Sequence, residues 1–359
     1  INAYVSMDAG STWTITSHWN ETGGGSTIGY THADIHVLEY NASNNNLYCG
    51  SDGGFYRTQD QGTTWEDRNA GLVNTQFYHI DLDPNANIVI GGTQDNGSNS
   101  INMTTGTMTH ELGADGFNCA INYQNTNTWY MTTQSNLRKT TDGGASFNTL
   151  SSISGSFWDK ALLMHPTDTQ TLYCGVSNKL RKTIDGGATW NDCNTMTGNH
   201  KAVTHGVSYT QRVYTIVTSA WIGNVWTQMS EVMRSDDGGT TWDTVTNNLN
   251  NGPDFSDIAC NPDDSRDVWV TISGFANGDK VWYSSDKGTN WTNISGSLPN
   301  VPIDCIVVDP NRTDHSVYIG TDVGIFYKDD SMSDWIPFFH GLPNTIVEDL
   351  EIENNQIVA

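Results

Sequence analysis

Positive charge is scarce in this chain. Of 359 residues only 16 are Lys or Arg, against 40 Asp or Glu, which leaves a formal net charge of −24. A protein that works by neutralising nucleic-acid phosphates needs a basic face, and this composition supplies none. Docking on anionic lipid is disfavoured for the same reason. Long apolar runs are missing as well. No stretch of about 18 apolar residues occurs, so no helical membrane span and no direct membrane insertion are expected. Cysteine is sparse: six in a chain this long do not make a disulfide scaffold. No Cys-x-x-Cys pair is present, which argues against a structural zinc site. No basic, apolar and small-residue leader pattern precedes Ile1. The expectation is a processed chain or a piece of a longer polypeptide.

Charged residues make up 16% of the chain, against about 25% in an ordinary globular protein. The polarity comes instead from Asn, Thr, Ser and Gly, with 35 Gly and 37 Asn. These residues favour turns and strands over helix interiors. Thirteen Trp and 14 Tyr add large apolar bodies with polar tips. Disorder is not expected with that aromatic load.

One phrase recurs along the whole length. Its copies carry Asp8 and Trp13, Asp60 and Trp65, Asp142 and Phe147, Asp185 and Trp190, Asp237 and Trp242, and Asp286 and Trp291. A worn copy lies around Asp330 and Trp335, where Met332 replaces the glycine. The pattern is [S/T]-x-D-x-G-x-[T/S]-[W/F]. Its Asp carboxylate can accept bonds from backbone N–H groups of its own turn, and its Gly permits positive φ. The following hydroxyl residue continues into a strand, and the aromatic is expected to pack into the sheet. Between Trp65 and Phe147 the interval is long enough for a further unit that has lost the phrase. Within it, His79–Pro84 and Asn87–Gly92 read as that unit's opening strands. Similar openings recur at Ala161–Pro166, Asp257–Pro262 and Cys305–Pro310. Four short strands per roughly 45 residues, separated by turn chemistry, is the signature of a propeller blade.

The repeats resemble the Asp-box, or bacterial-neuraminidase (BNR) repeat, superfamily. It includes sialidases, two-propeller xyloglucan hydrolases, sortilin-type receptors and photosystem assembly factors. Within it the chain resembles secreted propellers of the sortilin and xyloglucanase type that are cargo of type IX secretion. Those carry phrases similar to His32–His36, Gly50–Arg57, Gly91–Gly97 and Ala114–Phe117. The likeness spans essentially the whole chain. It is specific for fold and weakly specific for activity, because one fold hosts many functions. A sialidase would need a Tyr/Phe-Arg-Ile-Pro segment, three substrate-binding arginines and a Tyr–Glu nucleophile pair. This chain has no such segment, and four of its eight Arg (Arg57, Arg138, Arg181, Arg234) sit next to the repeated phrase. The xyloglucan hydrolases that it resembles need two facing propellers, each giving one catalytic Asp, whereas one propeller at most fits here. Glycoside hydrolysis needs a carboxylate pair about 5–10 Å apart. The sequence does not single that pair out, so catalytic residues stay unassigned.

Several residues are candidates for binding. His32, Asp34 and His36 alternate with period 2, so on a strand they share one face. They are possible ligands for a divalent ion, although spaced too widely to bind one ion on a straight strand. The competing reading is a hydrogen-bonded polar stripe between blades. Asp52, Asp95 and Asp115 sit in Gly-rich turns. They either stabilise those turns or gather near one channel end to hold Ca2+. Trp221 and Trp226 lie in a segment that replaces a tight turn. They either offer a platform for a sugar ring or a partner protein, or fold back on the core. Cys174 and Cys193 fall in one unit and are the only disulfide pair put forward; the other thiols read as buried and free.

The expectation is therefore an all-β chain, residues 1–359 forming a single β-propeller of four-stranded Asp-box blades. Eight blades are expected, with seven as the alternative count, closed by pairing of the N- and C-terminal strands. The expected role is a non-catalytic extracellular or cell-surface recognition or structural module, adhesin-like or part of a multidomain exoprotein. Its partner would be a glycan or a surface protein, with flanking domains and no nucleic acid. No cofactor is required, and Ca2+ or another divalent ion is the one such a site could take. The rival is a glycoside hydrolase, or a fragment of one, acting on a polysaccharide.

Overall fold

The computed structural model describes residues 2–19, 28–72, 74–83, 85–157, 161–193, 197–249 and 254–359. Strands dominate it, and the chain divides into two units, Ile1–Gln76 and Phe77–Ala359.

The first unit carries one four-stranded antiparallel sheet: Ile35–Asn41, Asn46–Ser51, Gly54–Thr58 and Glu66–Asp67. A short antiparallel pair, Tyr4–Val5 with Thr14–Ile15, precedes it. Ser17–His18 pairs in parallel with Gly29–Tyr30.

The second unit holds six four-stranded antiparallel sheets in succession, each in simple up-and-down order. Their first strands are Phe77–Asp83, Gly116–Ile121, Leu162–His165, Asn199–His205, Phe255–Cys260 and Ile303–Val308. The sheet opened by Phe77–Asp83 runs on through Ile88–Thr93, Ser98–Asn102 and Met108–Leu112. It is the unit expected in the long interval that lacks the repeated phrase. A two-stranded hairpin, Glu351–Glu353 with Gln356–Val358, ends the chain. Each first strand lies beside the next. Glu351–Glu353 lies beside Ile303–Val308 on one side and Phe77–Asp83 on the other.

Packing between successive sheets supplies the core. Tyr214, Ile216 and Val232 of one sheet meet Ile258, Val268 and Val270 of the next. Trp269 and Val281 in turn meet Ile306, Val317 and Ile319. The C-terminal hairpin is packed on both flanks. Val347 and Leu350 meet Cys305 and Ile325, while Val358 packs against the cluster of Ile80, Leu82 and Val89. Each buried aliphatic side chain stabilises by roughly 1.5–3 kcal/mol.

The repeated phrase folds identically in its six full copies. In the third, the Asp142 carboxylate accepts the Ser146 N–H at 2.9 Å and the Ser146 hydroxyl at 2.6 Å. Thr140 donates its hydroxyl to Asp142 at 2.7 Å and accepts the Gly144 N–H at 3.1 Å. Gly144 sits at φ +91°, and a Cβ there would also meet Trp129 at 2.8 Å. These bonds hold Asp8, Asp185 and Asp237 down to about 2, the first-ranked bonds coming from Thr12, Thr189 and Thr241. The aromatic that follows is not uniformly buried. Trp291 and Trp335 are in the core, Trp65, Phe147, Trp190 and Trp242 are half-buried, and Trp13 is 64% exposed.

Cys174 and Cys193 do not bond; all six cysteines are free. Strand alternation explains it. Tyr173 and Cys174 point to opposite faces, and Cys193 packs on the Tyr173 face with Leu180 and Val213. Cys174 packs with Leu162 and Leu172 on the other.

Candidate functional site

The first strands of the second unit line a cavity of about 600 Å3. Acidic side chains crowd it: Asp81, Asp257, Asp304, Asp349, Glu351 and Glu353. Lys201 is the only Lys or Arg among the described lining residues.

Three of these carboxylates share one device. Leu82 N–H donates to Asp81 at 2.8 Å, and Ile121 N–H of the adjacent sheet donates to its other oxygen at 2.6 Å. Asp257 accepts Ile258 N–H at 2.8 Å and Ile306 N–H of the adjacent sheet at 2.9 Å. Asp349 accepts Leu350 N–H at 3.0 Å and Ile80 N–H at 2.8 Å. Each carboxylate thus clamps two neighbouring strands and satisfies backbone donors that the cavity leaves unpaired. Burial, followed by the charges of Asp349 and Glu353, raises Asp81 to about 7. Glu351 is pushed well above the carboxylate range by burial, then by the charges of Asp81 and Asp349.

His79, Asp349 and Glu351 form the tightest group, with one ligand-type atom of each within 4.8 Å of the others. His79 Nδ1 is 3.9 Å from Asp349 Oδ2 and 3.6 Å from Cys119 Sγ. Burial and the charges of Asp81 and Asp349 push the Cys119 thiol well up, so it is a neutral neighbour.

The residues singled out from sequence fall elsewhere. His32, Asp34 and His36 do not alternate along one strand. The strand begins at Ile35, and Asp34 takes a left-handed φ of +53° just before it. That turn breaks the period on which a shared face depends. The His32 ring lies over Gly53, where a Cβ would come within 2.1 Å of it, and its Nδ1 is 3.1 Å from the Ala33 carbonyl. His36 Nε2 pairs with the Asp52 carboxylate on the surface. In the second unit Asp95 N–H donates to Asp115 at 2.8 Å. The other Asp115 oxygen accepts the Gln134 amide. These bonds order a turn in which Asp95 has φ +61°.

Trp221 and Trp226 are not on an irregular loop. Val213–Ile222 and Val225–Ser235 form one long hairpin in which the two Trp are directly paired across the strands. Their ring centroids are 5.7 Å apart, and the rings are 62% and 51% exposed. Gly223, at φ +63°, allows the tight reversal between them.

Sequence reasoning missed the His79 group, although a signal was present. His79-Ile-Asp81-Leu-Asp83 and Asp349-Leu-Glu351-Ile-Glu353 share one polar–apolar alternation. In both, the polar positions point one way and the apolar positions into the sheet packing.

No family model matches the chain, and no curated protein does. Solved structures do. An ancestral GH74 enzyme is 17% identical with a TM-score of 0.52, over 64% of this chain and 31% of that one. YCF48 from Cyanidioschyzon merolae is 14% identical with a TM-score of 0.51, over 83% and 95%. YCF48 bound to D1 peptide is 16% identical with a TM-score of 0.51, over 83% and 91%. This chain therefore spans about a third of the GH74 enzyme's length and nearly all of YCF48's. Together with the succession of four-stranded antiparallel sheets, these likenesses define the fold as a β-propeller.

Proposed function

We propose that this chain is a non-catalytic recognition module, an Asp-box propeller that works outside the cell or at its surface. Its partner is a glycan or a surface protein, and flanking domains belong to the same polypeptide. The observation that carries this reading is the hairpin that ends in Trp221 and Trp226. Two paired indoles held out on a regular hairpin form an apolar platform with polar tips, suited to a sugar ring or an apolar side chain. A YCF48 of the same fold was solved with a peptide bound. Three of the channel acids are poor candidates for proton transfer. Asp81, Asp257 and Asp349 each spend both oxygens on backbone N–H groups, which suits a clamp rather than a proton shuttle.

The first strands from residue 77 onward support a seven-membered ring in this reading. The C-terminal hairpin, flanked on both sides, is then a half-built seventh blade.

Pull-down on plant, algal and bacterial polysaccharides and on surface-protein extracts tests the function, comparing the native chain with Trp221→Ala/Trp226→Ala. Retention that the double variant loses is expected. The rival glycoside hydrolase rests on the acidic channel. New reducing ends released from any polysaccharide by the native chain would overturn the non-catalytic reading in its favour.

A further inference from the structure

We propose that His79, Asp349 and Glu351 form a binding site for one divalent transition-metal cation, of the Mn2+ or Zn2+ class, in the channel of the second unit. The geometry comes first. One nitrogen and two carboxylate oxygens lie within 4.8 Å of one another, His79 Nδ1 and Asp349 Oδ2 at 3.9 Å; ligands at about 2.0–2.2 Å from one ion span at most about 4.4 Å, so a small side-chain rotation closes the set around it. The donors come from two sequence-distant segments, and the fold fixes both. Ile80 N–H donates to Asp349 at 2.8 Å, which ties the residue after His79 to the segment that leads into the strand Glu351–Glu353.

Chemistry points to the ion class. Imidazole suits Zn2+ and other transition ions, whereas Ca2+ and Mg2+ take oxygen donors. Each Asp349 oxygen accepts one backbone N–H, which orients the carboxylate and leaves a second lone pair for a metal. Glu351 has no hydrogen-bond donor or ion-pair partner among the described residues, although it sits beside Asp81 and Asp349. With Lys201 the only Lys or Arg among the described lining residues, a cation at this group offsets like charges that the fold brings together.

Such an ion would link the first sheet of the unit to the last hairpin. It would bridge the two strands Glu351–Glu353 and Phe77–Asp83, which lie side by side. This inference does not depend on the recognition reading, because its readouts are metal binding and stability.

Metal-stripped full-length protein is titrated with Mn2+, counting free ion by electron paramagnetic resonance, and with Zn2+ by calorimetry. One saturable site per chain is expected, above the weak background of a highly acidic surface. Glu351→Gln and His79→Gln are each expected to weaken that site at least about tenfold, an effect on the scale of losing a ligand-shell residue. Glu39→Gln, which removes an exposed acid elsewhere, leaves it unchanged. The melting temperature of the native chain rises on adding Mn2+, and that of Glu351→Gln does not. Circular dichroism confirms that each variant is folded. Absence of a saturable site in the native chain overturns the proposal. So does retention of native affinity in both folded variants, or Ca2+ binding as tight as Mn2+ binding, since a histidine ligand would then add nothing.

Discussion

At the residue scale, the repeated phrase does two separable jobs. Its Asp orders a turn, and its aromatic anchors that turn to the neighbouring sheet. Trp291 shows the second job fully: its indole N–H donates to the Val245 carbonyl of the preceding sheet at 2.8 Å, and it is 4% exposed. Trp291→Ala should cost about 3–5 kcal/mol in urea unfolding, because it empties a core position. Trp13→Ala, at the exposed copy, should cost less than about 0.5 kcal/mol. Equal effects at the two positions would refute this division. The Asp residues also set an acid limit. Asp185 is held at about 2 by its turn bonds, below its ordinary 3.8, so its contribution is complete above 3.8 and is lost as pH falls through 2. His205 acts in the same direction over a higher window. Burial pushes it down to about 3 from 6.5, so stability leaks away as pH drops from 6.5 towards 3. Thermal melts of His205→Gln should therefore lose less stability than the native chain between pH 7 and pH 4. Melts of Asp185→Asn should lie below those of the native chain by a constant margin above pH 4, and that margin should shrink as pH falls from 4 towards 2.

At the element scale, each sheet is joined to the next by a polar stitch beneath the apolar packing. Tyr173 donates its buried hydroxyl to the Gly238 carbonyl at 3.0 Å, and Lys182 reaches the same carbonyl at 2.9 Å. Tyr130 and Lys139 do the same to Gly186, one sheet earlier. Tyr173→Phe should cost about 1–2 kcal/mol, since Lys182 still satisfies part of the carbonyl. A Tyr173→Phe/Lys182→Met double variant should cost more than the sum of the two single changes. Such stitches explain what could be read from sequence. The turn phrase is local, so its recurrence located its copies, and the likeness of 79–84 and 87–92 to the openings of the other units revealed the sheet that lacks it. The stitch partners lie about 50 residues apart and obey no local period. The candidate sites were less legible for the same reason. Trp221 and Trp226 stood out as candidates because two aromatics close together in a turn-like segment are conspicuous, and the structure shows them paired and exposed. His32, Asp34 and His36 do not share one strand face because one left-handed residue, Asp34, breaks the alternation. The His79 group stayed hidden because its halves are some 270 residues apart and meet only when the last hairpin docks on the first sheet of the unit.

That docking is the whole-molecule question, since a hairpin with two flanks is held differently from a hairpin with one. Leu350 is 3% exposed and packs with Cys305, Ile325 and Val347 on the side of the Ile303–Val308 sheet. On the other side Asp349 takes the Ile80 N–H, and Val358 meets the Ile80, Leu82 and Val89 cluster. If both flanks are engaged, loosening the hairpin frees two sheets far apart in sequence. Leu350→Ala should cost about 2–5 kcal/mol by leaving a cavity. Its diagnostic effect is spatial rather than energetic. Amide hydrogen exchange should accelerate in Ile303–Val308, whose Cys305 shares a cluster with Leu350, and equally in Phe77–Asp83 on the hairpin's other flank. Protection in Trp129–Thr133, two sheets in from the seam, should change least, because local opening need not spread through intact sheet packing. Acceleration confined to Ile303–Val308 would mean that the hairpin is an appendage of the last sheet. Acceleration in both means that the C-terminal residues hold the first sheet of the unit to its last.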